Sequence, residues 1–168
     1  MHERVIGSLQ SIDGFISSTV WRSQANTEDI ILINHYANEE AASEGISRLM
    51  TEGFFEMVAE SFPEPLDLKR MEIVFADGLA PGDLSRDEFL SLSDRSTDPG
   101  KGPELETELR RIFGELKSID GYTGSMIGRN EVLDEEVLGL VFWTDVSGFM
   151  ASLPTKVLYE VRLFRRIL

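Results

Sequence analysis

The side chains in this sequence that could do chemistry are few and mostly aromatic. Asn34, His35 and Tyr36 are consecutive, and Tyr122 and Trp143 stand in two later strand-like segments. A phenol and an amide can hold or polarise a small molecule, and an indole can wall it in. His35 has a titration range suited to general-base work or haem ligation. A lone histidine inside a strand is more often a hydrogen-bonded core residue, and that is the expected state here. There is no cysteine, which excludes thiolate metal sites, disulfides and cysteine nucleophiles. No Ser-His-Asp arrangement and no glycine-rich phosphate loop is present, and the carboxylates are scattered rather than spaced as metal ligands. Neither a metal nor a cofactor is expected.

The elements that must position these residues can be read along the chain. Pro103 to Ser118 has the pattern of an amphipathic helix, with Pro103 in the first turn, Glu104 and Glu106 near the positive end, and Leu105, Leu109, Ile112 and Leu116 at helical spacing. Asp120-Gly121 ends it. Tyr122 to Asn130 and Glu135 to Trp143 then read as a hairpin whose second strand is apolar on both faces and therefore covered on both. Asp145 suits the N-cap of a short helix ending before Pro154, Lys156 to Leu163 alternates like a last strand, and Glu88 to Ser93 is a candidate first strand. The order is β-α-β-β-α-β, the ferredoxin-like arrangement.

The first half repeats this plan. Leu9-Gln-Ser-Ile-Asp-Gly-Phe15 returns as Leu116-Lys-Ser-Ile-Asp-Gly-Tyr122, and identities extend without a gap to Ser18/Ser125, Arg22/Arg129 and Glu28/Glu135. Here the hairpin is Phe15 to Ser23 with Glu28 to Tyr36, followed by one long helix from Asn38 to Ser61 and a strand near Leu68 to Ala76. Met1 aligns with the middle of the second helix, so the first unit is expected to lack its first strand. The expected domains are 1–78, a linker at 79–87, and 88–168.

Composition narrows the partners. With 30 acidic against 16 basic residues the chain carries a net charge of −14, which repels phosphate backbones and argues against nucleic acid. The longest apolar run, Val137 to Trp143, is too short to span a membrane, and no apolar run follows the first residues. No membrane partner and a cytoplasmic location are expected. Glu40, Glu44, Glu52, Glu56 and Glu60 recur along the long helix, which reads as a solvated face.

If the four-residue loops join the hairpin strands directly, Arg22 faces Asp29 and Arg129 faces Glu136 as cross-strand ion pairs. That register gathers Phe15, Ser17, Trp21, Asn34 and Tyr36 on one face. In the second hairpin it gathers Tyr122, Gly124, Met126, Gly128, Gly139 and Trp143. The glycines leave space beside Trp143, and a small-molecule pocket with an apolar lining is expected there.

Each copy resembles the antibiotic-biosynthesis-monooxygenase-like group of the dimeric α+β barrel superfamily. Leu116 to Phe149, with Asp-Gly-Tyr and Val-Phe-Trp-Thr-Asp, carries the resemblance well. Leu9 to Ala42 carries it less well, with Tyr36 in place of the Trp. The resemblance implies an α+β fold of tandem ferredoxin-like units packed sheet to sheet as an intrachain dimer, either a monomer with pseudo-dimeric halves or a homodimer. It also implies a pocket between sheet and helices lined by the terminal Trp. The activity it suggests is cofactor-independent oxidation of a small aromatic or quinone-like molecule. On that reading Tyr36, Asn34 and Trp143 are the catalytic candidates, and Trp21, Tyr122, Met126, Gly128 and Gly139 line the ligand. The haem-degrading members carry a second-helix His and a first-strand Asn that the second copy lacks. A non-catalytic binding or assembly protein of the same fold is the competing expectation.

Overall fold

The structure, a computed structural model, describes residues 7–61, 67–78, 88–133, 135–154 and 160–168. The linker expected at 79–87 and the first half of the last strand expected over Lys156 to Leu163 fall outside them. The elements are helix α1 (described over residues 7–10), β1 (Phe15–Ser23), β2 (Ile30–Tyr36), α2 (Glu39–Thr51), α3 (Phe54–Ser61), β3 (Met71–Gly78), β4 (Phe89–Ser96), α4 (Gly102–Leu116), β5 (Tyr122–Asn130), β6 (Glu136–Trp143), α5 (Val146–Ser152) and β7 (Arg162–Arg166). The fold is α+β. The strands hydrogen-bond in the order β2-β1-β7-β4-β6-β5-β3, one sheet rather than two, because β7 adds to β1 and β3 adds to β5.

The chain divides into two compact units that are not consecutive halves: Met1–Thr19 with Leu32–Leu68, and Val20–Ile31 with Lys69–Leu168. In the first unit, Leu9, Ile12, Ala41 and Leu49 are buried together, with Phe15, Tyr36, Phe54 and Phe55 against them. Asn38 caps α2 by accepting from Ala41 N at 2.9 Å. The expected long helix is broken. Gly53 takes φ 72°, a left-handed conformation that ends α2 after Glu52 and restarts the chain as α3. The acidic stripe is broken with it: Glu44 pairs with Arg48 at 2.5 Å within α2, and Glu52 accepts from Ser8 Oγ.

In the second unit, α4 lays Leu109 and Phe113 over Ile127, Val137, Val141 and Trp143. Pro103 sits in its first turn and α5 starts at Asp145, whose carboxylate accepts from Ser147 N at 2.8 Å and Gly148 N at 3.1 Å. The repeated Asp-Gly has a backbone reason. Gly14 and Gly121 hold φ 88° and 87°, and their carbonyls accept from Ala37 N at 2.7 Å and Thr144 N at 2.8 Å, so one turn is built twice. Among the described residues no helix is long and apolar enough to cross a membrane.

The hairpin register differs from the one expected. Tyr122 faces Trp143, but the next pair is Gly124 with Phe142, so Thr123 is bulged out and all later pairs move by one residue. Arg129 therefore faces Val137, not Glu136. Its guanidinium reaches Glu72 at 3.0 Å and Glu106 at 3.1 Å instead. In the other hairpin Asp29 pairs with Arg162 at 3.3 Å, and Arg22 lies opposite Arg165.

Candidate functional site

The bulge redistributes the residues expected around Trp143. Since side chains alternate along a strand, Tyr122, Gly139 and Trp143 remain on the face covered by α4, while Gly124, Met126 and Gly128 turn to the other face with Phe142. Trp21 joins this second group. It follows the register through Ser23, Phe164, Leu90 and Phe142, and its ring lies 6.1 Å from that of Phe142. The structure thus brings the expected lining together as two groups on opposite faces.

Trp143 is fully buried. Its Nε1 donates to Ser91 Oγ at 2.9 Å, and its ring meets Tyr122 edge-on at 6.1 Å. The space beside the glycines is occupied: a Cβ on Gly139 would come within 3.0 Å of Phe113 Cζ and of Ser93 Oγ, and one on Gly128 within 3.0 Å of Met71 Cβ. The face beside Trp143 is interior packing, built by α4 where Gly139 allows it to approach, and Met71 fills the space at Gly128 on the other face.

The same face carries a polar chain that no local spacing in the sequence announces. Tyr122 Oη donates to Asp77 Oδ2 at 3.1 Å and shares a 2.8 Å hydrogen bond with buried Ser125 Oγ; Lys117 Nζ holds Asp77 at 2.9 Å. The hydrogen bond from Lys117 lowers the Asp77 carboxyl below its ordinary value, and burial raises the Tyr122 phenol. The chain ties β3 and the end of α4 to β5.

The first unit is organised differently. Asn34 and Tyr36 lie two residues apart on one side of β2, and His35 points to the other. The Tyr36 ring meets Phe15 edge-on at 5.7 Å and rests on Gly45 of α2, where a Cβ would stand only 2.1 Å from its Oη. Asn34 Oδ1 and Tyr36 Oη are both buried without a hydrogen-bond partner among the described residues, as are Ser17 Oγ, Ser18 Oγ and His35 Nδ1. His35 Nδ1 thus lacks, among the described residues, the partner expected of a satisfied core histidine. Burial lowers its pKa, which keeps it neutral, and raises that of Tyr36, which keeps the phenol protonated.

An unpartnered buried polar group costs about 1–3 kcal/mol, and native structures retain such groups where a water or ligand meets them. The protonated phenol is a donor. The Asn34 amide offers an acceptor and donors on the same face. Together they offer a donor and an acceptor on one face of β2. Among the described residues no three His, Asp or Glu side chains converge on a metal-binding arrangement.

No protein-family model and no curated protein matches the chain. Solved structures do match its fold. A Fusobacterium nucleatum protein provisionally described as a monooxygenase superposes with a TM-score of 0.75 at 9% identity, over 98% of this chain and 82% of that one. An anthrone oxidase-like protein gives 0.68 at 12% identity, over 99% and 85%. A Listeria monocytogenes ferredoxin-fold protein related to antibiotic biosynthesis monooxygenases gives 0.57 at 8% identity, over 99% and 89%. The chain has the ferredoxin-like α+β fold of the antibiotic-biosynthesis-monooxygenase-like proteins.

Proposed function

We propose that this protein binds a small phenol- or quinone-like aromatic molecule at the Asn34 and Tyr36 side of β2 and oxidises it with molecular oxygen without a resident cofactor. The observation that carries the reading is the pair of buried, unpartnered polar atoms, Asn34 Oδ1 and Tyr36 Oη, on the side of β2 that α2 covers. Tyr36 donates to an oxygen of the substrate and stabilises its anion, Asn34 takes or gives a second hydrogen bond, and the apolar shell of Phe15, Leu49 and Phe54 excludes water. With oxygen as oxidant, a methylene flanked by aromatic rings becomes a carbonyl; one oxygen atom enters the product and the other leaves as water with the two hydrogens.

The anthrone oxidase-like neighbour supports this substrate class by analogy of fold. Oxygen uptake by the purified chain with anthrone and with hydroquinones is the test. Uptake that falls at least about tenfold in Tyr36→Phe supports the proposal. Uptake at the uncatalysed rate with every compound removes the oxidation step.

A second reading, a binding protein without catalysis, is favoured by the filled space on both faces of the second unit's strands, where Phe113 lies against Gly139 and Met71 against Gly128. Saturable binding of the same compounds with no oxygen consumption would establish it.

A further inference from the structure

The register through β7, β4 and β6 puts Leu92, Asp94 and Ser96 of β4, Leu138 and Glu136 of β6, and Arg162 of β7 on one face, opposite the face under α4. At the end of this face the lining changes from apolar to charged. Lys69, just before β3, reaches Asp94 Oδ2 at 2.8 Å and Glu136 Oε2 at 3.6 Å, although β5 and β6 lie between β3 and β4 in the sheet. The cavity this leaves has a volume of about 370 Å³ and is lined by Lys69, Asp94, Ser96, Glu160 and Arg162.

We propose that this cavity is a second binding site, and that it takes a small zwitterion of the α-amino acid class. Among the described residues the lining carries two cations and two anions, and they differ in what they are free to do. Lys69 and Asp94 neutralise each other and form the wall. Arg162 is engaged by Asp29 through Nη1 alone, at 3.3 Å, and a guanidinium has further donors in a planar fork that suits a carboxylate. Ser96 and Glu160 have no partner among the described residues, which leaves a hydroxyl and a carboxylate in the same lining as Arg162. A carboxylate ligand without an amine would leave Glu160 uncompensated, and an amine without a carboxylate would leave the open donors of Arg162 unused. A molecule bearing both charges satisfies both sides, and the cavity falls within the size range of small-molecule pockets. The site lies on the opposite face of the sheet from Trp143 and stands or falls independently of the oxidation proposed above.

Calorimetric titration of the full chain with glycine, alanine and phenylalanine tests it, with acetate and methylamine as the separated halves. Expected are saturable binding of at least one amino acid, binding of each half at least about tenfold weaker, and about tenfold loss in Arg162→Gln and in Glu160→Gln. Amide shifts on titration should centre on Ser96 and Arg162. No binding of any of the three at about 10 mM, acetate or methylamine binding as tightly as the amino acids, or shifts centred elsewhere would overturn the proposal. Should either variant lose its fold, the ligand comparison and the shift map on the unsubstituted chain decide alone.

Discussion

Gly45 and Tyr36 share one space: a Cβ at position 45 would come within 2.1 Å of Oη and 2.5 Å of Cζ of the tyrosine. Glycine inside α2 is there to seat the phenol. Replacing it with alanine gains about 1 kcal/mol of helix propensity, but the ring, held edge-on by Phe15, must move away from its seat. Overpacking of this kind costs about 1–3 kcal/mol. Gly45→Ala should therefore leave the protein no more stable, and up to about 2 kcal/mol less stable, in urea unfolding. It should also displace the Tyr36 ring resonances, whereas Gly114→Ala, with no heavy atom within 4 Å of the added carbon, should not.

Ser91 is the acceptor for the buried indole N–H of Trp143. Ser91→Ala keeps the backbone pairing of β4 but leaves that donor with no described acceptor, a loss of about 1–3 kcal/mol. Denaturant unfolding followed by Trp fluorescence reads the change directly. A variant as stable as the unsubstituted chain would show that another group takes the N–H.

Arg129 links two carboxylates of unequal burial, Glu106 with a side chain 11% exposed and Glu72 with one 60% exposed. Breaking a buried pair from one side strands a charge and costs about 3 kcal/mol or more, while an exposed pair contributes about 1 kcal/mol or less. Arg129→Met should thus be far more damaging than Glu72→Gln. Adding Glu106→Gln to Arg129→Met should restore much of the loss, and a double-mutant cycle on unfolding free energies measures the coupling.

The pH dependence has a predictable sign at both ends. Asp77 is lowered by the hydrogen bond from Lys117 and Asp145 by that from the Ser147 hydroxyl. A lowered carboxyl contributes stability that is present above its unfolded value and lost as pH falls through the folded one. Stability should decline once pH drops below about 4, and Lys117→Met should shrink the part owed to Asp77. Tyr36 and Tyr122 are raised by burial, so their contribution is present below the unfolded value and lost as pH climbs above about 10. Unfolding midpoints across a pH series, with tyrosinate absorbance at the alkaline end, check both limbs.

Much of the architecture was legible because its signals are local. The Asp-Gly turns, the Asp145 cap, the Pro103 start and the strands from Tyr122 and to Trp143 each follow from a few neighbouring residues. The register was not, because the bulge at Thr123 carries no signature beyond an ordinary β-branched residue and moves every later pair. The same shift divided the expected lining of Trp143 between two faces. Gly53 carries a readable signal for the break between α2 and α3, against the single helix expected from Asn38 to Ser61. The chain from Lys117 through Asp77 to Tyr122 joins residues far apart in sequence, and only the fold brings them together.

The candidate site makes a prediction that separates it from ordinary core. Tyr36 Oη and Asn34 Oδ1 are buried without partners, so in the free protein they cost stability rather than supply it. Tyr36→Phe removes the hydroxyl and keeps the ring against Phe15, and Asn34→Leu replaces the amide with an apolar side chain of similar size. Each should stabilise the unliganded chain, by about 0.5–2 kcal/mol, while weakening binding of a phenolic ligand about tenfold or more. That opposition marks groups held in readiness for something other than the fold. Urea unfolding paired with fluorescence titration of anthrone measures the two effects on one sample. If both substitutions instead lower stability and leave binding unchanged, the two side chains belong to the core and the site must be sought elsewhere.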